Sequence, residues 1–162
     1  MERVSKENYY LDIAKTVAER ATCLRRKFGA IIVKNDVIVS TGYNGAPRGR
    51  KNCNDLNFCY RDKLQIPRGE RYELCRSVHA EQNAVIAAPR EQMLGATMYM
   101  VCVDPSTGNV MGGVSSCMMC KRVLLNAGIS RLVVRDTDTE YRVIDTADWI
   151  EDDDSLNGKL GY

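Results

Sequence analysis

The chain has 162 residues, of which 44% are hydrophobic and 27% charged, with a formal net charge of +2. This length allows one globular domain with a substantial core and is short for two. The small net charge gives no general electrostatic reason to bind nucleic acid, and no apolar run approaches the length of a membrane-spanning helix. The amino terminus, MERVSKENYY, lacks the apolar segment of a signal peptide, so we expect a cytoplasmic protein.

Helical and strand patterns alternate along the chain. Residues 5–21 have the spacing of an amphipathic helix with Ser5 as its N-cap, and the β-branched runs 28–34 and 37–43 are joined by an Asn-Asp turn. The later patterns predict a helix over 80–88 stopped by Pro89, a strand over 96–103, a helix over 117–128 closed by Gly128, a strand over 129–135 and a short helix over 146–151.

The alternation of helices and strands predicts an α/β fold, a three-layer α/β/α sandwich with helices on both faces of a sheet. The hairpin makes this sheet mixed rather than purely parallel. We expect a single domain over residues 1–162, with an acidic and weakly ordered tail from about residue 151.

The connection over residues 44–76 exceeds thirty residues and has little periodicity, which is uncommon unless something holds the loop. Cys53, Cys59 and Cys75 lie in it, and the chain has seven cysteines altogether. A reducing compartment argues against disulfides, so metal ligation or thiol chemistry are the simpler interpretations.

Cys117 and Cys120 form a CxxC pair at the start of a predicted helix, where both sulfurs share one face and the helix terminus favours thiolates. The same pair could be a thioredoxin-like redox motif or two buried apolar cysteines. His79, the only histidine, supplies a third ligand. Two thiolates and one imidazole form a known catalytic zinc set, which leaves the fourth position for a water that ionises near neutral pH.

Glu81 follows His79 by two positions and could carry protons between such a water and a substrate. Residues two apart do not share a helix face, an objection that weakens if the pair lies in the first turn. His79 alone would be interpreted as a core histidine. The full pattern, HAE, then a strand, then a helix that opens with CxxC, is far more specific.

H-x-E followed by P-C-x-x-C is the signature of the zinc-dependent nucleobase deaminases, and residues 7–135 resemble that superfamily. The chain is most similar to the deoxycytidylate (dCMP) deaminases. The segments that carry this resemblance are TCLRRKFGAIIV (22–33), STGYNGAPRG (40–49), NCND (52–55) and HAEQNAV (79–85). The resemblance implies a cytidine-deaminase-like fold and hydrolytic deamination of dCMP to dUMP with release of ammonia.

Site roles follow from the resemblance, position by position. The catalytic zinc would be bound by His79, Cys117 and Cys120, with Glu81 as the proton shuttle. Asn44 would hold the nucleotide, and the 5′-phosphate would lie near Arg25 or Arg26, with the choice between them open.

A second, structural zinc is also implied, since many family members hold one. Cys23 and Cys53 match ligands of that site, and Cys59 and Cys75 could complete a four-cysteine set that pins the long loop. Only Cys102, in a predicted strand, is left over as a core residue. Family members are homo-oligomers, commonly hexamers and otherwise dimers, with dCTP as activator and dTTP as inhibitor.

Two features depart from the family pattern. Ser116 stands where the signature has proline, and we expect it to cap the following helix. The segment 104–115 is longer and richer in glycine than a tight turn, and we expect it to cover the active site or alter pyrimidine recognition.

Alternative functions remain open at this stage. The substrate could instead be cytidine or CMP, dCTP, a riboflavin-pathway pyrimidine, guanine or tRNA adenosine, although the acidic segment 136–154 counts against tRNA. A protein of another class, a non-catalytic zinc module, would have no need for Glu81. A CxxC thiol oxidoreductase would keep its redox activity after metal removal.

Overall fold

The computed structural model describes residues 1–157. Its α-helices are α1 Lys6–Ala18, α2 Cys53–Leu56, α3 Tyr60–Lys63, α4 Ala80–Ile86, α5 Arg90–Met93, α6 Met118–Ala127 and α7 Asp148–Glu151, with 3-10 turns at Tyr72–Leu74 and Asp154–Asn157. Its strands are β1 Lys27–Lys34, β2 Val37–Tyr43, β3 Thr97–Val103, β4 Arg131–Arg135 and β5 Tyr141–Asp145. None of the helices within residues 1–157 is long and apolar enough to cross a bilayer.

The five strands form one mixed sheet in the order β2-β1-β3-β4-β5. Only β3 and β4 are parallel, and the other neighbouring strands are antiparallel. The β1–β2 hairpin turns at Asn35 and Asp36, whose φ angles are 51° and 62°. Two successive positive φ values are what a tight turn between twisted strands requires, and asparagine and aspartate tolerate them.

Alternate residues of each strand enter opposite cores. Ala30 and Ile32 of β1 pack with α4 and α6, whereas Ile31 and Val33 pack with α1. The predicted α/β/α sandwich around a mixed sheet is therefore confirmed.

Two glycines let helices lie directly on the sheet. A Cβ atom at Gly29 would lie 2.1 Å from the Ala14 carbonyl oxygen of α1, and one at Gly42 would lie 2.3 Å from the Ala80 carbonyl oxygen of α4. Helix α4 is also tied to β2 by hydrogen bonds from Ser40 Oγ to the Ala84 carbonyl (2.7 Å) and from Asn83 Nδ2 to the Tyr43 carbonyl (2.8 Å). These contacts fix the start of α4 relative to the sheet.

The predicted elements are present, with ends that differ by up to a few residues, and the structure adds several that the sequence did not indicate. Strand β5 pairs with β4 at the sheet edge, and the segment 44–76 contains α2, α3 and a 3-10 turn. Of the tail predicted to be weakly ordered from about residue 151, residues 154–157 form a 3-10 turn. Residues 158–162 of this tail lie outside the described residues.

Candidate active site

The N-termini of α4 and α6 meet on one side of the sheet and bring together the three predicted catalytic zinc ligands. His79 is the N-cap residue of α4, Cys117 is the N-cap residue of α6, and Cys120 lies in the first turn of α6. His79 Nδ1 lies 3.6 Å from Cys117 Sγ and 3.3 Å from Cys120 Sγ. The His79 backbone N–H donates to Gln82 Oε1 at 2.9 Å, which fixes the entry of the chain into α4.

These three side chains have the chemistry and spacing of a zinc site. Tetrahedral zinc, with bonds of about 2.3 Å to sulfur and about 2.0 Å to nitrogen, places the nitrogen and sulfur ligands about 3.5 Å apart. The two nitrogen–sulfur separations lie close to that value. Within residues 1–157, no other set of three or more His, Cys, Asp or Glu side chains has all its ligand atoms within 4.8 Å of one another.

Glu81 lies beside this cluster. His79 has extended backbone angles (φ −71°, ψ 156°) and stands outside the helix, whereas Glu81 lies in the first turn of α4. This geometry removes the objection that residues two apart cannot share a helix face. The Glu81 carboxylate is buried, and its Oε2 accepts a hydrogen bond from Ser116 Oγ at 2.9 Å.

The prediction that Ser116 caps α6 is wrong. The N-cap residue of α6 is Cys117, and no side chain caps the helix. The Ser116 hydroxyl donates to Glu81 instead.

The cluster separates charge within a buried site. Burial by itself lowers the pKa of His79, but hydrogen bonds with Cys117 and Cys75 raise it to about 10. A hydrogen bond from Cys120 and the nearby His79 imidazole lower the pKa of Cys117. The same hydrogen bond with Cys117, together with burial, raises the pKa of Cys120. The Cys117 sulfur and the His79 imidazole therefore favour each other's charged forms, and a thiolate is the form of cysteine that binds a metal ion.

A cavity of about 160 Å³ opens over the cluster. His79, Glu81 and Cys117 form one part of its wall. Asn44, Tyr72 and four arginines line another part of the wall; the arginines are Arg25, Arg26, Arg61 and Arg68. The cavity therefore combines candidate metal ligands, a buried carboxylate and a cationic wall.

Asn44 supports the cavity wall through the fold. Its Oδ1 accepts from the Phe28 backbone N–H at 2.8 Å, and its Nδ2 donates to the Arg26 carbonyl at 2.9 Å. An amide donates two hydrogens, so Nδ2 keeps one for a ligand. Of the two arginines expected near phosphate, Arg25 forms an ion pair with Asp62 at 3.1 Å, whereas Arg26 forms none with any residue in 1–157.

The predicted four-cysteine set is only partly assembled. Cys23, Cys59 and Cys75 line the cavity, and burial, followed by these three sulfurs, raises the pKa of the Cys53 thiol. Each of the three sulfurs is thus within electrostatic reach of Cys53, but no three of the four lie within 4.8 Å of one another in the described chain. The second zinc site stays a prediction, whereas Cys102 is fully buried in the core, as expected.

The segment 104–115 contributes a wall of the cavity through Gly113, Val114 and Ser115. Asp136, just after β4, accepts from the Gly113 backbone N–H at 2.9 Å and from Arg142 Nε at 2.8 Å. Arg142, on β5, also donates to the Val114 carbonyl. The far edge of the sheet therefore holds the segment against the active site.

The sequence model described as the cytidine and deoxycytidylate deaminase zinc-binding region matches residues 4–136. The chain belongs to this family. Its match includes His79, Glu81, Cys117 and Cys120, the residues that converge in the cavity, and it confirms the resemblance seen in the sequence.

Relatives within the deaminase family differ in length. The deoxycytidylate deaminase of Mycobacterium phage D29 is 36% identical, over 82% of this chain and 96% of its own. That of Schizosaccharomyces pombe is 30% identical over 81% of this chain, but the match spans only 37% of the yeast protein. The dCMP deaminase of cyanophage S-TIM5, in apo form, has a TM-score of 0.53 at 25% identity and covers 81% of this chain and 82% of its own. The same enzyme is also solved in complex with dCMP and dUMP.

Sequence patterns missed several residues of this deaminase site. Arg61 is buried, donates to the carbonyls of Pro67 (3.0 Å) and Glu70 (2.6 Å), and lies 4.3 Å over the Tyr72 ring. That ring meets the His79 ring edge-on at a centroid distance of 5.3 Å. Arg61, Arg68 and Tyr72 come from a long aperiodic segment, where no residue spacing indicates which side chains point inward.

Proposed function

We propose that this chain catalyses the hydrolytic deamination of dCMP to dUMP with release of ammonia. The observation that carries the proposal is the cluster of His79, Cys117 and Cys120 at one wall of a cationic cavity that the buried Glu81 also lines. The phage relatives named as dCMP deaminases support the choice of substrate.

His79, Cys117 and Cys120 would hold zinc through one nitrogen and two sulfurs. When bound, the ion supplies Lewis-acid activation of a water molecule near neutral pH. Glu81 accepts a proton from the attacking water and delivers it to the pyrimidine ring nitrogen as oxygen adds to C4. Glu81 then takes the remaining proton from the hydroxyl added at C4 and passes it to the amine, so that the C4–N bond breaks, the C4 carbonyl forms and ammonia leaves. A buried carboxylate suits this shuttle because bulk water does not compete for the proton.

The cationic wall selects a phosphorylated substrate. We assign the 5′-phosphate to Arg26 and Arg68, which line the cavity and have no ion-pair partner within residues 1–157. Arg25 contributes less because Asp62 already neutralises it. The free Nδ2 hydrogen of Asn44 is placed to hold the nucleotide between the phosphate and the base.

We also propose that Cys23, Cys53, Cys59 and Cys75 bind a second, structural zinc. The proximity of three of these sulfurs to the buried Cys53 thiol supports the assignment. Cys53 begins α2 and Cys59 is the N-cap residue of α3, so a metal bound there would tie these two short helices together. The seven free cysteines suit the reducing cytoplasm. Homo-oligomerisation and control by dCTP and dTTP stay predictions drawn from the family.

The decisive experiment is a deamination assay over dCMP, CMP, dCTP, cytidine and riboflavin precursors, with Glu81→Gln as the comparison variant. We expect dCMP to be the preferred substrate, and Glu81→Gln to keep its zinc but to lose at least 100-fold in kcat, in line with the usual size of general acid–base catalysis. A Glu81→Gln protein that retains most of its activity would refute the shuttle. Turnover of none of the nucleotides would refute the substrate assignment.

A further inference from the structure

We propose that Ser116 is a positioning residue for Glu81, an assignment that rests on the proposed function. Ser116 is fully buried, and its hydroxyl donates to Glu81 Oε2 at 2.9 Å. A hydrogen bond from a hydroxyl to an ionised carboxylate is stronger than one between two neutral groups, so it restricts the orientation of the carboxylate more tightly.

The contact comes from a residue that departs from the family signature. The signature of the family has proline at the position before the first cysteine, and the proline side chain has no hydrogen to donate. Ser116 joins the loop 104–115 to the N-cap of α6, so its hydroxyl links the CxxC helix to the first turn of α4. The segment that supplies two metal ligands therefore also orients the proton shuttle.

The contact involves one of the two carboxylate oxygens. Ser116 Oγ donates to Oε2, and Oε1 is not part of this hydrogen bond. With Oε2 fixed, rotation about the terminal side-chain torsion, which is otherwise broad, is restricted, and Oε1 keeps one orientation toward the substrate. Loss of the hydroxyl releases this torsion without removing a metal ligand or a substrate contact.

The test compares Ser116→Ala and Ser116→Thr with the unchanged protein. We expect Ser116→Ala to retain its zinc, to lower kcat for dCMP by about 10- to 100-fold, and to change KM by less than about threefold. Ser116→Thr, which keeps the hydroxyl, should recover most of the lost kcat. Ser106→Ala, an exposed serine of the same segment, should behave like the unchanged protein.

A double-mutant cycle in thermal unfolding gives a readout that does not depend on activity. Ser116→Ala should lower Tm by about 2–6 °C when Glu81 is present and should have no effect in the Glu81→Ala background. Equal Tm shifts in both backgrounds, or a Ser116→Ala enzyme with an unchanged kcat, would overturn the positioning role. Failure of the unchanged protein to deaminate dCMP would instead refute the proposed function.

Discussion

Among single residues, the four arginines that line the cavity differ in the partners that each side chain has within the protein. Arg25 is paired with Asp62. Arg61 lies over the Tyr72 ring, and its Nη2 donates to two backbone carbonyls. Arg26 and Arg68 have no carboxylate partner in the described part of the chain, so they keep their full charge for an anion. A planar guanidinium with two parallel donors suits phosphate in particular.

Replacement of Arg68 by alanine is therefore expected to raise KM for dCMP by about 10- to 100-fold, the value of a charge-assisted hydrogen bond to phosphate. Turnover of cytidine, which has no phosphate, should not change. Arg25→Ala is the matched comparison and should raise KM for dCMP much less, because Asp62 already occupies that side chain. Steady-state kinetics with both substrates would contradict this assignment if the two variants had equal effects.

Among the elements, the contact between β2 and α4 has the most direct effect on the metal site. The Ala80 carbonyl, which would clash with a Cβ at Gly42, belongs to the residue between His79 and Glu81. A methyl group at Gly42 must therefore displace the first turn of α4. Gly29 makes the equivalent approach to α1 on the opposite face, far from the ligands.

These two glycines form a matched pair for mutation. Gly42→Ala and Gly29→Ala should each lower the free energy of unfolding by about 1–3 kcal/mol, the usual cost of overpacking. Only Gly42→Ala should also weaken zinc binding, which chelator competition would measure below the Tm of both variants. Equal zinc affinities in the two folded variants would show that displacement of α4 does not reach the site.

The attachment of segment 104–115 to the sheet edge is expected to depend on pH. The hydrogen bond from Arg142 holds the pKa of Asp136 below its ordinary value. A carboxyl whose pKa is lower in the folded protein than in the unfolded chain stabilises the fold at every pH above its unfolded-state pKa. This stability is lost as the pH falls through the pKa of the folded state. The Tm difference between the unchanged protein and Asp136→Asn should therefore be constant from neutral pH to about pH 5 and should close below about pH 4. A difference that persists unchanged into strong acid would contradict this.

The sequence predicted best those features that depend on residues close together in the chain. The β1–β2 turn, the CxxC helix with its Gly128 end and the buried strands all follow from patterns within ten residues or so. Strand β5 was missed because it is a short, half-buried edge strand whose sequence, YRVID, does not alternate regularly between apolar and polar residues. Ser116 was misassigned because a serine before a helix usually caps it, and only the fold brings Glu81 within reach.

At the scale of the whole molecule, metal content distinguishes the two zinc proposals. We expect two zinc ions per chain by elemental analysis of the purified protein. Cys59→Ser should lose one ion and lower Tm but keep dCMP deamination, because a structural zinc contributes to folding and not to chemistry. Cys117→Ser should lose the other ion together with activity. A Cys59→Ser protein with the zinc content and Tm of the unchanged chain would refute the second site.

The chain leaves the sheet at Gly45 and returns at Val78 to the same point, where the two residues pair through reciprocal backbone hydrogen bonds of 3.2 and 2.7 Å. These bonds hold the two ends of the intervening segment together. Doubling the length of such a segment would cost only about 0.6 kcal/mol of loop-closure free energy. The segment nevertheless contributes Arg61, Arg68 and Tyr72 to the wall of the cavity. We therefore expect substitutions at Arg61 and Arg68 to alter substrate choice, whereas Tyr72, whose ring meets that of His79, links the same segment to the metal site.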